Sequence, residues 1–493
     1  MDKRTMHIRA IVSAFVLMLS CCIPGYAVSA DGILSYIYYY TDEGYHPVLS
    51  PSPYNFVKSV NADDLGVEGL NEINSIFVSD QHVYIACNGK IVITDHNFNL
   101  KKELAGFSHN GQEQALTNIT GMWVTDEEEL YACEPSKGRI LHFSPDWSIK
   151  RVLEKPEGII IPENIAYQPL KVAVDSVGRI YVVANNIYEG LVEINPDGSF
   201  LRYFGVVEVK YTPIQLFWRR LQTAEQRARS RLWLPVNFSN LSIDKYDFVY
   251  ATVAGSGDEQ PIRKLNAKGK NILRYPVGKD DAIPQGDLKY NHYGLRVPYG
   301  KSTLSAIDIN DYGLYIVLDT KRSRIFAYDE DGYMLYAFGE AGTTQWRFQL
   351  PVDVKFMGED MLLVADRGSE TIKVFKLNDY GRSIHNAVRY QSQFEYDLAM
   401  EEWKKVIDHN PAFQYAYVGV GKALYRRGDY KAAKDYFLLG QDVYYYSMAY
   451  KKIRQQWAEQ YFDLFIGLII LLFICMVIYK IIKRLKFQVR MEA

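Results

Sequence analysis

The sequence predicts a mainly β protein: a six-bladed β-propeller, then a short α-helical segment, then one C-terminal transmembrane helix. Three observations predict this order. A strand–turn–strand unit recurs six times through the middle of the chain, a 34-residue period follows it, and a long apolar run precedes a basic tail. Repeats of roughly 20 to 50 residues are typical of propellers and helical arrays, and an apolar run of this kind is typical of a membrane span.

The repeat defines the ring. Its copies begin at Ile73, Ile119, Leu170, Phe238, Leu304 and Leu350. Each holds three short alternating strands separated by turn residues, which is the pattern of an antiparallel blade. Six such blades arranged around an axis form a β-propeller, which leaves only short, protected strand edges.

The two ends of the ring are expected to meet in the sixth blade. That blade has no obvious fourth strand before the composition becomes helical at Ser383. Upstream of the first blade, Tyr54–Val60 reads as a strand without a blade of its own. We therefore predict that Tyr54–Val60 supplies the fourth strand of the sixth blade and closes the ring.

The copies at Leu304 and Leu350 also resemble the NHL repeat. The aspartate that follows the second strand in that family is present as Asp319 and Asp366 and becomes Glu134 in one copy. It is replaced by Cys87 in the first copy and by apolar residues in the others. The resemblance covers roughly residues 73–377 and implies the same six-bladed propeller.

A 34-residue period follows the ring. Tyr396, Ala399 and Trp403 recur as Tyr430, Ala433 and Phe437. This spacing resembles the tetratricopeptide repeat (TPR), in which small residues let one helix lie against an aromatic neighbour. Pro411 is expected to end the first unit, and Gly421, Ala423 and Gly428-Asp429 are expected where the next helix pair turns. Such a short array favours a packing module or spacer over a peptide-binding surface, and a further helix from about Gln441 leads towards the membrane.

The C-terminal apolar run predicts a membrane anchor. Leu464–Tyr479 contains no charged residue, and Ile481 and Ile482 extend it to roughly the 20 residues that span a bilayer. The cations that follow are Lys480, Lys483, Arg484, Lys486 and Arg490. Because Lys and Arg are retained in the cytoplasm, we expect a single-pass protein of the cell membrane with an extracellular N-terminal part and a cytoplasmic tail. A buried core helix is the alternative.

The N-terminus agrees with export. Residues 1–30 open with cations, continue through an apolar stretch and close with Val28-Ser29-Ala30, the layout of a signal peptide. Cys21 and Cys22 leave a lipoprotein signal as an alternative. An uncleaved signal would place both termini inside and still leave the middle of the chain outside.

Composition limits the remaining possibilities. The charge is nearly balanced, with 56 basic and 58 acidic residues, so nucleic acid is not an expected partner. Cys87 and Cys133 are the two cysteines of the exported part, and two buried thiols are favoured over a disulfide bridge between adjacent blades. The 39 tyrosines suit packing between strands, with a sugar- or protein-binding surface as the alternative.

The predicted domain boundaries follow from these patterns. They are a signal peptide at 1–30, an N-terminal extension at 31–70, the propeller at 71–380 with a helical insertion at 206–236, TPR-like helices at 383–460, a transmembrane helix at 462–482 and a basic tail at 483–493.

Two long connections between blades are the predicted binding elements, because long loops on a rigid scaffold often carry function. The insertion Val206–Val236 has helical apolar spacing and several arginines, and Pro276–Ser302 is polar and aromatic. The candidate partner-binding residues are Arg219, Arg220, Arg227, Arg231, Tyr290, His292 and Arg296. The arginines could pair with acidic or phosphate groups. The alternatives are a helix packed on the ring with solvated arginines and a simple surface loop.

An enzymatic alternative comes from the resemblance of NHL-type propellers to the gluconolactonase family. Such a hydrolase needs a divalent cation held by oxygen ligands. The candidate ligands here are Glu134, Asp319 and Asp366, with Glu163, Asn164 and Asn185 in support. The other blades lack the carboxylate, so no symmetric cluster is expected. We expect instead that each carboxylate pairs with the cation that opens the third strand, Arg139 or Arg324.

The leading functional hypothesis is a non-enzymatic surface protein that binds by contact. No nucleophile elbow, zinc spacing, phosphate loop or dinucleotide motif is present, so no cofactor is expected beyond a divalent cation under the lactonase alternative. A propeller followed by TPR-like helices and a terminal span resembles a bacterial group associated with sugar-uptake ABC transporters. The resemblance implies another envelope or transporter protein, or a glycan, as the partner.

Overall fold

The computed structural model describes residues 36–39, 47–159, 166–206, 221, 223, 237–254, 260–273, 286–287 and 302–491. Strands β1 (Tyr36–Tyr39) and β2 (Pro47–Ser50) pair as a hairpin ahead of β3 (Tyr54–Val60). The one-turn helix α1 (Ala62–Leu65) follows, and a capping box between Asn61 and Asp64 stabilises its N-terminus.

The next strands form the first three blades. Blade 1 contains β4 (Ser75–Val78), β5 (Val83–Cys87), β6 (Lys90–Thr94) and β7 (Leu100–Leu104). A hairpin of β8 (Gly106–His109) and β9 (Gln112–Ala115) leads to blade 2, with β10 (Gly121–Val124), β11 (Leu130–Glu134), β12 (Arg139–Phe143) and β13 (Ile149–Leu153). Blade 3 contains β14 (Gln168–Val174), β15 (Ile180–Asn185), β16 (Leu191–Ile194) and β17 (Phe200–Phe204).

Three further blades complete the ring. Within the described residues blade 4 has three strands, β18 (Asn237–Ile243), β19 (Val249–Ala254) and β20 (Ile262–Leu265). Blade 5 contains β21 (Leu304–Ile309), β22 (Tyr315–Asp319), β23 (Arg324–Tyr328) and β24 (Met334–Phe338), and blade 6 contains β25 (Pro351–Met357), β26 (Met361–Asp366) and β27 (Thr371–Leu377). The prediction of a six-bladed propeller is confirmed.

Blade 6 takes its fourth strand from the other end of the ring. Strand β3 pairs antiparallel with β27, so that Val60 lies opposite Ile372 and Tyr54 opposite Leu377. The Tyr54 side chain is buried, with its ring centroid 5.0 Å from that of Phe338. The N-terminal and C-terminal parts of the propeller are therefore held together by one backbone ladder.

The topology gives the ring two different faces. Turns between the first and second strands, and between the third and fourth strands, lie on one side, here called the turn face. Loops between the second and third strands, and the connections between blades, lie on the other side, here called the connection face. The chain leaves blade 3 after Phe204 and enters blade 4 at Asn237 on the connection face. Most residues of the predicted insertions 206–236 and 276–302 lie outside the described part of the chain.

Five helices follow the propeller: α2 (Asp379–Ser392), α3 (Tyr396–His409), α4 (Gln414–Arg426), α5 (Tyr430–Leu439) and α6 (Val443–Met491). Asn378 caps α2 by accepting a hydrogen bond from Gly381 N at 2.9 Å, and Asp429 caps α5. The short connections make each helix pack against the next one in the chain.

The 34-residue period places equivalent residues in equivalent buried positions. Ala399, Trp403, Ala433 and Phe437 are all buried. A Cβ atom added to Gly419 would lie 2.4 Å from Trp403 Nε1, so only glycine lets α4 approach the indole ring this closely.

One expectation for the helical segment was wrong. Gly421 and Ala423 lie inside α4 rather than at a turn, whereas Gly428 and Asp429 do lie between α4 and α5. The reason is close packing: a Cβ atom on Gly421 would lie 2.6 Å from the Phe437 ring. These small residues serve helix approach, not chain reversal.

Helix α6 contains the apolar run. It starts among the packed helices, where Ala449 is buried, and continues without a break through Leu464–Tyr479. Over residues 443–484 it is long and apolar enough to cross a membrane, and none of its most apolar window is buried against the rest of the chain. A core helix of a soluble domain would be covered, and this one is not.

Candidate functional site

The predicted partner-binding residues cannot be placed. Arg219, Arg220, Arg227 and Arg231, and likewise Tyr290, His292 and Arg296, lie outside the described residues. Glu163 and Asn164 of the lactonase alternative also lie outside them. Their role stays a prediction.

The carboxylate of blade 2 is held within its own blade. Glu134 Oε1 accepts hydrogen bonds from Thr117 N at 2.8 Å and Thr117 Oγ1 at 2.6 Å, while Oε2 accepts one from Arg139 Nε at 2.6 Å. Burial opposes ionisation of Glu134, but these hydrogen bonds outweigh it and keep its pKa below the usual value. The expected pairing of Arg139 with this carboxylate is present.

Asp319 and Asp366 are held in a similar way by backbone amides. Asp319 Oδ1 accepts hydrogen bonds from Thr303 N at 3.0 Å and Lys321 N at 2.9 Å. Asp366 accepts one from Gln349 N at 2.9 Å and two further ones from backbone amides of the same blade. Each carboxylate therefore ties the start of a blade to the loop after its second strand.

The expected Asp319–Arg324 pair was wrong. Arg324 contacts Asp287 at 3.3 Å, and Asp319 pairs instead with Arg322 at 3.2 Å. Asp287 belongs to the connection before blade 5, which the sequence repeat does not include, so this competing carboxylate could not be recognised from the repeat.

These residues do not fit a divalent cation site. Glu134, Asp319 and Asp366 are all fully buried, and their oxygens are engaged by donors of their own blades. Asn185 donates to Gln168 at 2.8 Å. No group of three or more His, Cys, Asp or Glu side chains within the described ranges is placed to hold a metal ion. The arrangement stabilises blades and offers no set of free oxygen ligands.

Cys87 and Cys133 are free thiols, and both are buried. Burial raises the pKa of Cys87 to about 12 and raises that of Cys133 as well. A protonated, inaccessible thiol is a poor nucleophile, so both cysteines act as small core residues.

The innermost strands place one equivalent residue from each blade around the axis. Each of these residues pairs with the residue just before the aspartate position of the second strand. In four of the six inner strands a β-bulge directly precedes it. The six residues, here called the channel ring, are Ser75, Gly121, Lys171, Asn240, Ala306 and Asp353. The repeat pattern alone did not single them out.

Two channel-ring residues, Asp353 and Asn240, form hydrogen bonds to the next blade. Asp353 Oδ2 of blade 6 accepts hydrogen bonds from Ser75 Oγ at 2.8 Å and from Ile76 N at 3.1 Å in blade 1. Asn240 Nδ2 of blade 4 donates to Ser305 O of blade 5 at 3.1 Å. Channel-ring residues therefore stabilise the boundary between blades 6 and 1 and the boundary between blades 4 and 5.

Lys171 is the one cation of the channel ring. Its side chain runs past Gly121 of blade 2, where a Cβ atom would lie 2.9 Å from Lys171 Cδ. Burial lowers the pKa of Lys171, and the carboxylate of Asp353, in the opposite blade, offsets part of that effect. A lysine within an apolar strand (Leu170-Lys171-Val172) was the sequence signal for this site, and sequence reasoning missed it.

The helical segment packs on the turn face of blades 5 and 6. His385 of α2 is buried between two hydroxyl groups, with Tyr312 Oη 2.8 Å from Nδ1 and Tyr336 Oη 2.7 Å from Nε2. Burial lowers the pKa of His385 to about 3, so its imidazole is neutral. This polar contact fixes α2 on the propeller.

A second buried contact joins the propeller to α4. Tyr415 donates a hydrogen bond to Asp329, and burial raises the pKa of Asp329 to about 6. Lys422 lies over the rings of Tyr333, Tyr415 and Tyr445 at 5.3, 5.2 and 5.0 Å. Because these tyrosines come from blade 5, α4 and α6, one ammonium group links all three by cation–π contacts.

A cleft of about 480 Å³ remains between blade 6 and α2. Its charged lining is already paired: Arg382 contacts Asp360 at 3.1 Å, and Arg389 contacts Glu359 at 3.0 Å. The cleft follows the joint between propeller and helices and has no unpaired charged group in its lining.

Comparisons with known proteins find similarity to solved structures only. No family model matches the chain, and a search of curated proteins finds no match. Virginiamycin B lyase from Staphylococcus aureus is 11% identical and matches 66% of this chain and 100% of its own, with a TM-score of 0.39. A proposed gluconolactonase is 12% identical over 66% and 93%, with a TM-score of 0.38.

A third solved structure is a protein of unknown function from Bacteroides thetaiotaomicron. It is 11% identical, matches 70% of this chain and 90% of its own, and has a TM-score of 0.41. At these identities and scores the similarities support no assignment of activity. The description of this chain as a six-bladed propeller with C-terminal helices and one long apolar helix rests on its own strand pairing.

Proposed function

We propose that this protein is a membrane-anchored binding protein of a bacterial cell surface. Its propeller would lie outside the cell and recognise another envelope or transporter protein, or a glycan, through the connection face. Residues 464–482 would anchor it, and the basic tail would lie in the cytoplasm.

The observation that carries this proposal is mechanical continuity from the ring to the apolar helix. Buried contacts of His385 and Asp329 join the propeller to α2 and α4, and α6 packs on α5 before it leaves the helical segment. Helix α6 then runs unbroken into the apolar stretch. An arrangement of this kind holds a rigid surface at a set distance from a bilayer, which is useful for contact with a neighbour.

The connection face is the face available to a partner. The helical segment covers part of the turn face, where Tyr312, Asp329 and Asp360 lie in the turns of blades 5 and 6. Blade 3 ends at Phe204 and blade 4 begins at Asn237 on the opposite side, and the predicted arginine-bearing insertion lies between them in the sequence. A partner that binds there would not compete with the helices.

Aromatic residues of α6 at the start of the apolar run support a membrane boundary there. The ring of Trp457 lies 5.2 Å from that of Tyr461 and 6.1 Å from that of Phe465, all exposed on one side of α6. Trp and Tyr are enriched where a transmembrane helix enters the headgroup region. They lie at the end of the apolar run opposite to the cations, as an outer boundary requires.

The test is partner recovery with the full chain. The tagged protein is expressed in its native host, cross-linked, purified in detergent, and its partners are identified by mass spectrometry. Changing Arg219, Arg220 and Arg227 together to Ala is expected to reduce recovery of the principal partner at least tenfold, because each arginine can contribute a charge-assisted hydrogen bond. The same protein on a glycan array tests the glycan alternative.

The matched control changes three exposed lysines elsewhere, Lys102, Lys404 and Lys431, to Ala. It should recover the partner as well as the unchanged protein does. Equal recovery by the arginine variant would discard docking through the arginines. Equal recovery by a chain that lacks the propeller would discard recognition by the ring.

A further inference from the structure

We propose that Lys171 forms a small-anion site in the central channel, where its ammonium group binds a carboxylate or phosphate group of a small molecule. The site is separate from the partner surface proposed above, and its test does not depend on that proposal.

The position of Lys171 places its amine at the axis. Lys171 follows the β-bulge of the inner strand of blade 3 and pairs with Val183, at the same place that Asp353 occupies in blade 6. In a ring of six blades, the third and the sixth are opposite each other. Lys171 and Asp353 therefore face each other across the channel, and the side chain of Lys171 is half-buried.

The other charged groups near the axis already have hydrogen-bond partners. Asp353 accepts hydrogen bonds from Ser75 and Ile76, Lys355 donates to Asp308 at 2.8 Å, and Arg367 donates to Ile73 O and to Asn74. Lys171 has no hydrogen-bond or ion-pair partner among the described residues. Among these charged groups within the described residues, Lys171 is thus the one without a contacting hydrogen-bond acceptor.

An unpaired cation in a low-dielectric setting is unfavourable, and a bound anion would remove that penalty. The structure also keeps the space for the side chain open. Gly121 is the channel-ring residue of the neighbouring blade, and any side chain there would meet Leu170 O at 2.5 Å and Lys171 Cα at 2.8 Å. Gly121 therefore leaves the space that Lys171 occupies at the channel wall.

The chemistry of the site selects a small anion. An ammonium group is a compact point charge that binds a carboxylate or a phosphate without the planar geometry that a guanidinium imposes. Asn240 and Asp353 already use their polar atoms within the ring, so Lys171 is the main attraction for a ligand. A neutral sugar would gain little from it.

The test uses the full chain in detergent with its lysines dimethylated from ¹³C-formaldehyde, which preserves their charge. The NMR signal of Lys171 is assigned by its absence in Lys171→Met. We titrate with sodium phosphate and with sodium glucuronate at constant ionic strength, and with glucose as a neutral control. A saturable shift of the Lys171 signal with either anion, and none with glucose, supports the site. The two titrations show which anion the site prefers.

Calorimetry on the unmodified chain gives a second readout. Lys171→Met is expected to weaken binding of the preferred anion about tenfold or more, since a hydrogen bond to a charged group is lost. Lys171→Arg should retain binding, and Lys268→Met, which removes an exposed lysine, should leave it unchanged. Should Lys171→Met fail to fold, Lys171→Arg assigns the NMR signal instead, because it also lacks the dimethylated amine, and the titration of the unchanged chain then decides. A Lys171 signal that follows only ionic strength, like those of surface lysines, would overturn the proposal.

Discussion

A single imidazole shows how the interface between propeller and helices depends on protonation. His385 is only 3% exposed and lies between the hydroxyl groups of Tyr312 and Tyr336. A neutral imidazole has one donor and one acceptor nitrogen, so it can accept a hydrogen bond from one tyrosine and donate to the other. An imidazolium would have two donors and a buried charge, which explains why burial lowers the pKa of His385 to about 3.

Acidification should therefore weaken the interface. Below pH 6.5 the unfolded chain binds a proton at His385 that the folded chain does not bind, so this contribution to stability is complete above that pH and is lost as pH falls towards about 3. Glutamine does not titrate, so His385→Gln does not show this loss of stability at low pH. The difference in the free energy of unfolding between the unchanged chain and this variant should shrink by about 2 kcal/mol from pH 8 to pH 5. Urea unfolding across pH measures it.

Asp329, at the same interface, changes the stability with pH in the opposite direction to His385. Burial raises its pKa to about 6, so its contribution to stability is complete below pH 3.8 and is lost as pH rises through about 6. Because His385→Gln leaves Asp329 in place, the difference between the two proteins isolates the histidine. A difference that stays constant with pH would show that His385 has the same pKa in the folded chain as in the unfolded chain.

At the scale of the element, β3 is the strand on which the ring depends most. It covers β27, which would otherwise be an open sheet edge, and it buries Tyr54 and Val60. A chain that begins after Val60 should lose the fourth strand of blade 6 and expose that edge. We expect its midpoint of thermal unfolding to fall by more than about 10 °C and the protein to form oligomers, because several kcal/mol of burial are lost.

The measurement is thermal unfolding combined with size-exclusion chromatography in detergent. The control is a chain that begins at residue 31 and keeps β1, β2 and β3. A monomeric, equally stable protein without β3 would show that the ring closes in some other way.

The sequence predicts elements well where a period repeats. Six copies of one pattern locate the inner and central strands, and the 34-residue spacing of Ala399 and Trp403 locates the packed helix faces. It fails where tertiary contacts decide. The pairing of Arg324 with Asp287 depends on a connection outside the repeat, and the channel ring depends on β-bulges that shift the register by one residue. The turn prediction at Gly421 was wrong because glycine is typical both of turns and of closely packed helices.

At the scale of the whole molecule, the proposed anchor and the ring are joined without a flexible linker. Between Ala449, which is buried, and the apolar run that begins at Leu464, no residue of α6 is buried. At about 1.5 Å per residue, this exposed stalk would hold the helical segment roughly 22 Å from the apolar layer of a bilayer if the apolar run spans it. The height of the ring above a bilayer would therefore be set by helix length.

A proline in the stalk should make that height variable. Ala458→Pro removes a backbone hydrogen bond and kinks the helix, while Ala458→Ser is the control that keeps it. Energy transfer from a dye at Glu113→Cys to a dye in the lipid headgroups of proteoliposomes should show one narrow distance distribution in the unchanged chain and a broad one with proline. Identical distributions would mean that the stalk is already flexible.

Ring closure by β3 also has a consequence for biogenesis. The partner of this early strand is made roughly 300 residues later, so no blade 6 exists until nearly the whole propeller has emerged. If the chain is exported as an unfolded thread, its first strand must wait unpaired on the far side of the membrane while five blades assemble behind it. A chaperone that shields short unpaired strands during secretion would therefore be needed most at the N-terminus, and for the longest time.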